Sequence, residues 1–268
     1  MTLPDFKAQI DETTRAEIDA QLAKIEQDYD VRILFAIESG SRAWGFPSPD
    51  SDYDVRFVYA HPRDWYLTLE PGRDVIELPI DKLLDINGWD IRKALSLALK
   101  PNPVLLEWLA SPIRYRWNAP ACDAMIKLSE QVAHRTACRY HYLSLGEGQW
   151  RRHVGDAAQV KMKKYFYILR PALALRWLRM NQNLPPMNLH DLIAGIDLEP
   201  AVVTRIAELL EQKAKTREIG TGARIPEIDA LITAEFAAAR EIENEPKDKD
   251  HRAAADALFR LLLAGDFE

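Results

Sequence analysis

Glu38-Ser39-Gly40-Ser41-Arg42-Ala43-Trp44-Gly45, followed after a short gap by Ser51-Asp52-Tyr53-Asp54, is the stretch that decides the fold. The residues before it, 31–37, form a β-branched and aromatic run that reads as a buried strand. A Gly-Ser turn closes that strand, and a loop holding Pro47 and Pro49 leads to a second strand at 55–59. Side chains alternate along a strand, so Asp52 and Asp54 fall on one face, roughly 7 Å apart. Two such carboxylates can share divalent cations lying about 3.5–4 Å apart. Gly40 and Ser41 can offer backbone N–H groups and a hydroxyl to phosphate oxygens. The expectation is a site that transfers a nucleotide from a triphosphate, with Asp52 and Asp54 as metal ligands and catalytic acids.

Such a site needs a third acid from a neighbouring strand. Asp85 lies in strand-like Leu84-Asp85-Ile86, just before an expected Gly88-Trp89 turn, and is the choice. Asp90 is the rival, although an acid there also suits the first turn of the helix expected from Trp89. Gly40 alone would mean only a tight turn and Ser41 only a cap, but beside Asp52 and Asp54 both read as nucleotide-binding. Arg42 either contacts phosphate or pairs with Asp50. Ser51 is a further nucleotide-site candidate, its hydroxyl suited to bracing the loop before Asp52. A second constellation is Lys161, Lys163, Lys164, Tyr167 and Arg170, of which Lys163, Tyr167 and Arg170 share one helical face. Lys164 and Arg170 are its candidates for holding the triphosphate or the acceptor; the alternative is a solvated cationic face.

The Gly-Ser, Ser-Asp-x-Asp pattern resembles the signature of the DNA polymerase beta-like nucleotidyltransferase superfamily. Further blocks are similar to one bacterial family within it, polymerase beta-type nucleotidyltransferases predicted to belong to an RNA repair pathway. These blocks include Tyr59-Ala60-His61-Pro62-Arg63-Asp64-Trp65-Tyr66-Leu67, Gly88-Trp89-Asp90-Ile91-Arg92-Lys93-Ala94-Leu95, Glu107-Trp108-Leu109 and Lys163-Lys164-Tyr165-Phe166-Tyr167-Ile168-Leu169-Arg170-Pro171. The resemblance implies two Mg2+ ions (or Mn2+) on Asp52, Asp54 and Asp85, an NTP such as ATP as donor, and an RNA or tRNA end as acceptor. It also leaves open two other outcomes, nucleotidylation of a protein and a non-catalytic nucleotide sensor. Arg135 to His141 has the Arg-x5-His form of some helical nuclease domains, a weak signal within one helix.

The remainder of the chain fits a globular enzyme. Apolar residues make up 47% and charged residues 28% of 268 residues, with a formal charge of −6. An anionic substrate must therefore meet a local basic patch or metal ions. Cys122 and Cys138 match no zinc spacing. With no secretory pattern in 1–5 and no run near the ~20 residues of a membrane span, a cytoplasmic location and no membrane partner are expected. Strands are expected at 75–80 and 82–86, and helices at 14–30, 89–99, 105–109, 120–145 and 156–180, the first opened by a capping box, Thr14 to Glu17. Helices are also expected at 189–193, 202–213, 227–242 and 252–263, with a simple turn at Gly220-Thr221-Gly222 and a linker over 241–250. The fold class expected is α+β: a nucleotidyltransferase domain with a small mixed sheet over 1–117, then an all-helical substrate-binding domain over 118–268.

Overall fold

A computed structural model of the chain describes residues 10–81, 83–100, 102–132, 135–215, 220–242 and 250–265. The expectation for 1–5, Lys82 in the expected strand and most of the 241–250 linker lie outside the described residues. The elements begin with α1 (Glu12–Tyr29), β1 (Arg32–Ser39), the one-turn α2 (Gly40–Ala43), β2 (Tyr53–Ala60), β3 (Val75–Glu77) and β4 (Leu84–Asp90). There follow α3 (Ile91–Ala98), α4 (Pro103–Leu109), β5 (Arg114–Trp117), α5 (Ala119–Val132), α6 (Arg135–His153) and β6 (Gln159–Lys161). The chain continues through α7 (Met162–Met180), α8 (Leu189–Ala194), α9 (Pro200–Lys215), β7 (Thr221–Ala223), α10 (Pro226–Glu241) and α11 (Arg252–Ala264).

Two compact units interleave along the chain. The sheet unit takes the described residues of 10–43, 52–132 and 250–265. Its five strands run in the order β3-β4-β2-β1-β5, with β2 and β4 parallel and the other pairs antiparallel. Alternation along β2 serves two cores. Val55, Phe57 and Tyr59 pack with Ile18, Leu22 and Ile25 of α1. Val58 and Ala60 pack with residues of α3, α4, α5 and α11. Both faces are thus covered, which is why 31–37 reads as one apolar run rather than an alternation.

Three local expectations are corrected and one strand is new. The N-cap of α1 is Asp11, whose carboxylate accepts the Thr14 N–H at 2.9 Å, so Thr14 lies inside the helix rather than capping it. Gly88-Trp89 is not a turn but the end of β4, where the Phe57 ring occupies the space a Gly88 side chain would need. A fifth strand, β5, pairs with β1, and Arg116 reaches Glu26 of α1 at 2.5 Å. Gly220-Thr221-Gly222, read as a simple turn, leads into β7, which pairs with β6.

The helical unit takes 44–51 and the described residues of 135–246. α7 packs against α6 and α10, and α10 against α9. Pro171 lies within α7, as the sequence suggested. Tyr165, Phe166, Leu169, Leu173 and Trp177 are buried core. The segment Trp44–Ser51 is clamped in this unit: Phe46 stacks on Phe166 at 4.7 Å, and the buried Lys213 donates to the Phe46 carbonyl at 2.5 Å. Desolvation lowers the Lys213 pKa to about 7. Arg135 donates to the carbonyls of Leu178 and Asn181 at the end of α7, a capping position. Both cysteines are buried and free.

Candidate active site

The site grows from the end of β1. Ser39 pairs with Asp54 across the antiparallel ladder, so the chain turns at Gly40 directly beside that acid. Gly40 has φ +62°, a left-handed conformation that glycine adopts without penalty. A Cβ built there would lie 2.8 Å from the Asp54 Cγ and closer still to its Oδ2. The backbone of the Gly-Ser turn is therefore packed on the Asp54 carboxylate, an approach only glycine permits.

The parallel register places Asp54 opposite Asp85. Arg56, two residues on and on the same face, ties the two acids together. Its Nη2 donates to Asp54 Oδ1 at 3.0 Å and to Asp85 Oδ2 at 2.7 Å. Its Nη1 donates to the carbonyls of Asp85 at 2.7 Å and Val55 at 3.1 Å. Burial pushes the Asp54 pKa up; Arg56 opposes this, the charges of Asp85 and Asp52 add to it, and Arg42 opposes it. Asp52 precedes β2 and is exposed. Its carbonyl accepts from Arg42 Nε at 3.3 Å, and the Arg42 guanidinium lies 3.9 Å from the Tyr53 ring centroid.

Asp90 has a different place. Its Oδ1 caps α3 by accepting the Arg92 N–H at 2.8 Å, and its Oδ2 accepts the Tyr66 hydroxyl at 2.7 Å. It is buried, with its register partner Tyr59 rather than Asp54. The structure thus brings Asp85, and not Asp90, beside Asp54.

Sequence reasoning missed Glu38. It is fully buried behind Asp54, accepting the Asp54 backbone N–H at 2.9 Å and the Tyr115 hydroxyl at 2.5 Å. The available signal was an acid at the end of an apolar strand, next to Ser-Gly-Ser. Desolvation raises its pKa from 4.5 to about 7, against the two hydrogen bonds. The folded chain therefore holds a proton there that the unfolded chain releases above about pH 4.5, and stability falls as pH rises towards 7. Glu38→Gln is expected to flatten the dependence of melting temperature on pH between those limits, checked by thermal melts in matched buffers.

The remaining candidates lie in the helical unit. Ser51 accepts the Ser48 N–H at 2.9 Å, the bracing geometry expected for its loop. The Lys164 ammonium lies 5.1 Å from the Tyr167 ring centroid. Arg170 is buried, donates to the Met187 carbonyl at 3.2 Å, and lies 5.0 Å from the Trp44 ring centroid.

Among the described residues no group of three or more His, Cys, Asp or Glu side chains forms a ready metal cage. Asp54 and Asp85 instead share a cation, the Arg56 guanidinium. Carboxylate oxygens are the hard donors that magnesium takes. Asp54 and Asp85 are two such donors side by side, and Asp52, exposed ahead of β2, is not gathered with them into a set of three.

Comparison with known proteins identifies the family. The RNA repair pathway DNA polymerase beta family matches residues 14–261. An uncharacterized protein, YcgL, of Bacillus subtilis (strain 168) is 45% identical over 250 residues, covering 91% of this chain and 93% of that protein. A nucleotidyltransferase-like protein from Exiguobacterium sibiricum 255-15, known from a crystal structure, shows 12% identity and a TM-score of 0.29 over 83% of this chain and 73% of that one, too remote to carry an argument. The 31–37 and 55–59 strands, the mixed sheet and the match over nearly the whole chain converge: this protein belongs to the RNA repair pathway DNA polymerase beta family and is a nucleotidyltransferase.

Proposed function

We propose that the chain moves a nucleoside monophosphate from an NTP, ATP among them, to a hydroxyl at an RNA or tRNA end, in a magnesium-dependent reaction. The observation that carries this reading is the packing of Gly40 on Asp54, with Asp85 in register beside it. A phosphate-binding turn and a pair of acids then share one corner of the sheet.

In this reading the first N–H groups of α2 and the Ser41 hydroxyl hold the triphosphate tail. Asp52, Asp54 and Asp85 would hold magnesium, which supplies Lewis-acid neutralisation of the phosphates when bound. Asp85 orients the acceptor hydroxyl and takes its proton. The acceptor oxygen forms a bond to the α-phosphorus as the bond from that phosphorus to the β-phosphate oxygen breaks, releasing pyrophosphate. Arg56 keeps Asp54 and Asp85 in place through its two backbone carbonyl contacts. Lys164, part-exposed on the helical unit, steadies phosphates of the acceptor; Arg170, buried and bonded to the Met187 carbonyl, stays in the core rather than reaching a phosphate. A cytoplasmic setting suits these roles and the two free thiols; among the described residues no helix is long and apolar enough to cross a membrane.

The test is incubation with each α-labelled ribonucleotide, magnesium, and either mixed short RNA or cell protein. Label on RNA with stoichiometric pyrophosphate supports the reading. Label confined to protein would redirect it to protein nucleotidylation, and triphosphate binding without pyrophosphate release would make the chain a sensor.

A further inference from the structure

α6 ends in Arg151-Arg152-His153, and α7 carries Lys163 and Lys164 in its first turn, just after Lys161. Residues 151–164 hold five Lys or Arg and a single acid, Asp156, within a chain of formal charge −6. α6 and α7 pack on one another and only residues 154–161 join them, so the end of α6 and the start of α7 are neighbours. The His153 ring feels the charges of Lys164, Arg152 and Lys161, which add to desolvation in holding its pKa below the ordinary value. Arg151, Arg152, Lys161 and Lys163 are exposed. Arg151 Nε donates to the Glu147 carbonyl at 3.4 Å and the Lys164 ammonium lies over the Tyr167 ring, so neither contact sets an acid against these cations.

Folding accounts for only half of this cluster. Cations at the end of α6 are favoured by its dipole. Lys163 and Lys164 sit at the positive end of α7, where cations are disfavoured. The N-cap of that helix, Lys161, makes no side-chain capping bond. The first turn of α7 therefore gathers positive charge at a local cost to stability. Trp150, next to Arg151 in α6, is half-buried and carries the Arg224 guanidinium 5.4 Å from its ring centroid, a further cation beside the aromatic ring. Residues 150–164 include no exposed large aliphatic side chain that could enter a membrane.

We propose that this corner of the helical unit, built from Arg151, Arg152, Lys161, Lys163 and Lys164 beside Trp150, binds the phosphate backbone of single-stranded RNA and stacks one base on the indole. The choice of RNA rests on the acceptor reading given above. Cations that track the backbone and an aromatic face that tolerates any base are the two parts such binding needs.

The experiment is fluorescence anisotropy of a labelled single-stranded RNA, from about 50 to about 300 mM salt, where each neutralised phosphate contributes roughly 0.7 to the slope of log K against log salt. The Arg151→Gln/Arg152→Gln/Lys161→Gln variant is expected to lower that slope by about 2 and to weaken binding at least about tenfold at low salt. The charge-conserving Arg151→Lys/Arg152→Lys/Lys161→Arg variant is expected to keep the slope, and Trp150→Leu to weaken binding a few-fold without changing it. An unchanged slope in the Gln variant, its loss in the charge-conserving variant, or anionic vesicles binding as tightly as RNA would each overturn the proposal. Pyrophosphate release separates the two readings. RNA binding with this slope but no nucleotide transfer supports the patch and overturns the proposed function. Transfer with a slope indifferent to the Gln variant overturns the patch alone.

Discussion

Asp54→Asn is expected to lower nucleotide transfer by at least about 10³-fold while leaving the fold intact, because a carboxylate aimed at developing phosphate charge and metal supplies several kcal/mol of the barrier reduction. The substitution is nearly isosteric. The Asp54 backbone N–H keeps its bond to Glu38, and β1–β2 pairing is untouched. Arg56 loses the charge of one partner but retains Asp85 and two carbonyls. Burial already raises the Asp54 pKa, so removing the charge also removes a desolvation penalty, and the melting temperature should change little. Pyrophosphate release and a thermal melt on the same preparation check both halves. A folded variant with a near-native rate would remove Asp54 from the chemistry.

The second large effect is expected from Gly40→Ala. Two costs combine there. Alanine at φ +62° meets the left-handed penalty of about 1–2 kcal/mol. The new methyl also lands on the Asp54 carboxylate, so that side chain must leave its position against Arg56. The expected outcome is a stability loss of about 1–3 kcal/mol by urea denaturation and a fall in transfer of about 100-fold, since small misplacements of a catalytic group are that costly. Both substitutions act on one side chain, so their effects on rate should not add. Gly40→Ala/Asp54→Asn should be scarcely slower than Asp54→Asn alone. Additive losses would mean that Gly40 acts on something other than Asp54.

The residues that were legible in the sequence are those whose roles are local. The 31–37 run and the 55–59 strand announce themselves through apolar pattern, and the strand that carries Asp85 through Leu84 and Ile86. Residues defined by distant partners were not legible. β5 is Arg-Tyr-Arg-Trp, with little apolar code; it is a strand because it pairs with β1 and because Arg116 finds Glu26, 90 positions away. Glu38 looks like a polar strand end until Tyr115, 77 positions on, is seen bonded to it. Gly88 has the composition of a turn, and only the Phe57 ring across the ladder explains it inside a strand. The helical pattern after residue 118 suggested one separate domain, yet α5 and α11 share the core beneath the sheet. Helical periodicity shows that a face is apolar without saying which surface it covers.

The most direct measurement is a calorimetric titration of wild-type protein with a non-hydrolysable nucleoside triphosphate, in magnesium and again in EDTA. Saturable heat in magnesium that is lost in EDTA and in Asp54→Asn is the predicted result. Equal heats with and without the metal, or no heat with any of the four bases, would contradict a triphosphate site built on Gly40, Ser41 and the three acids.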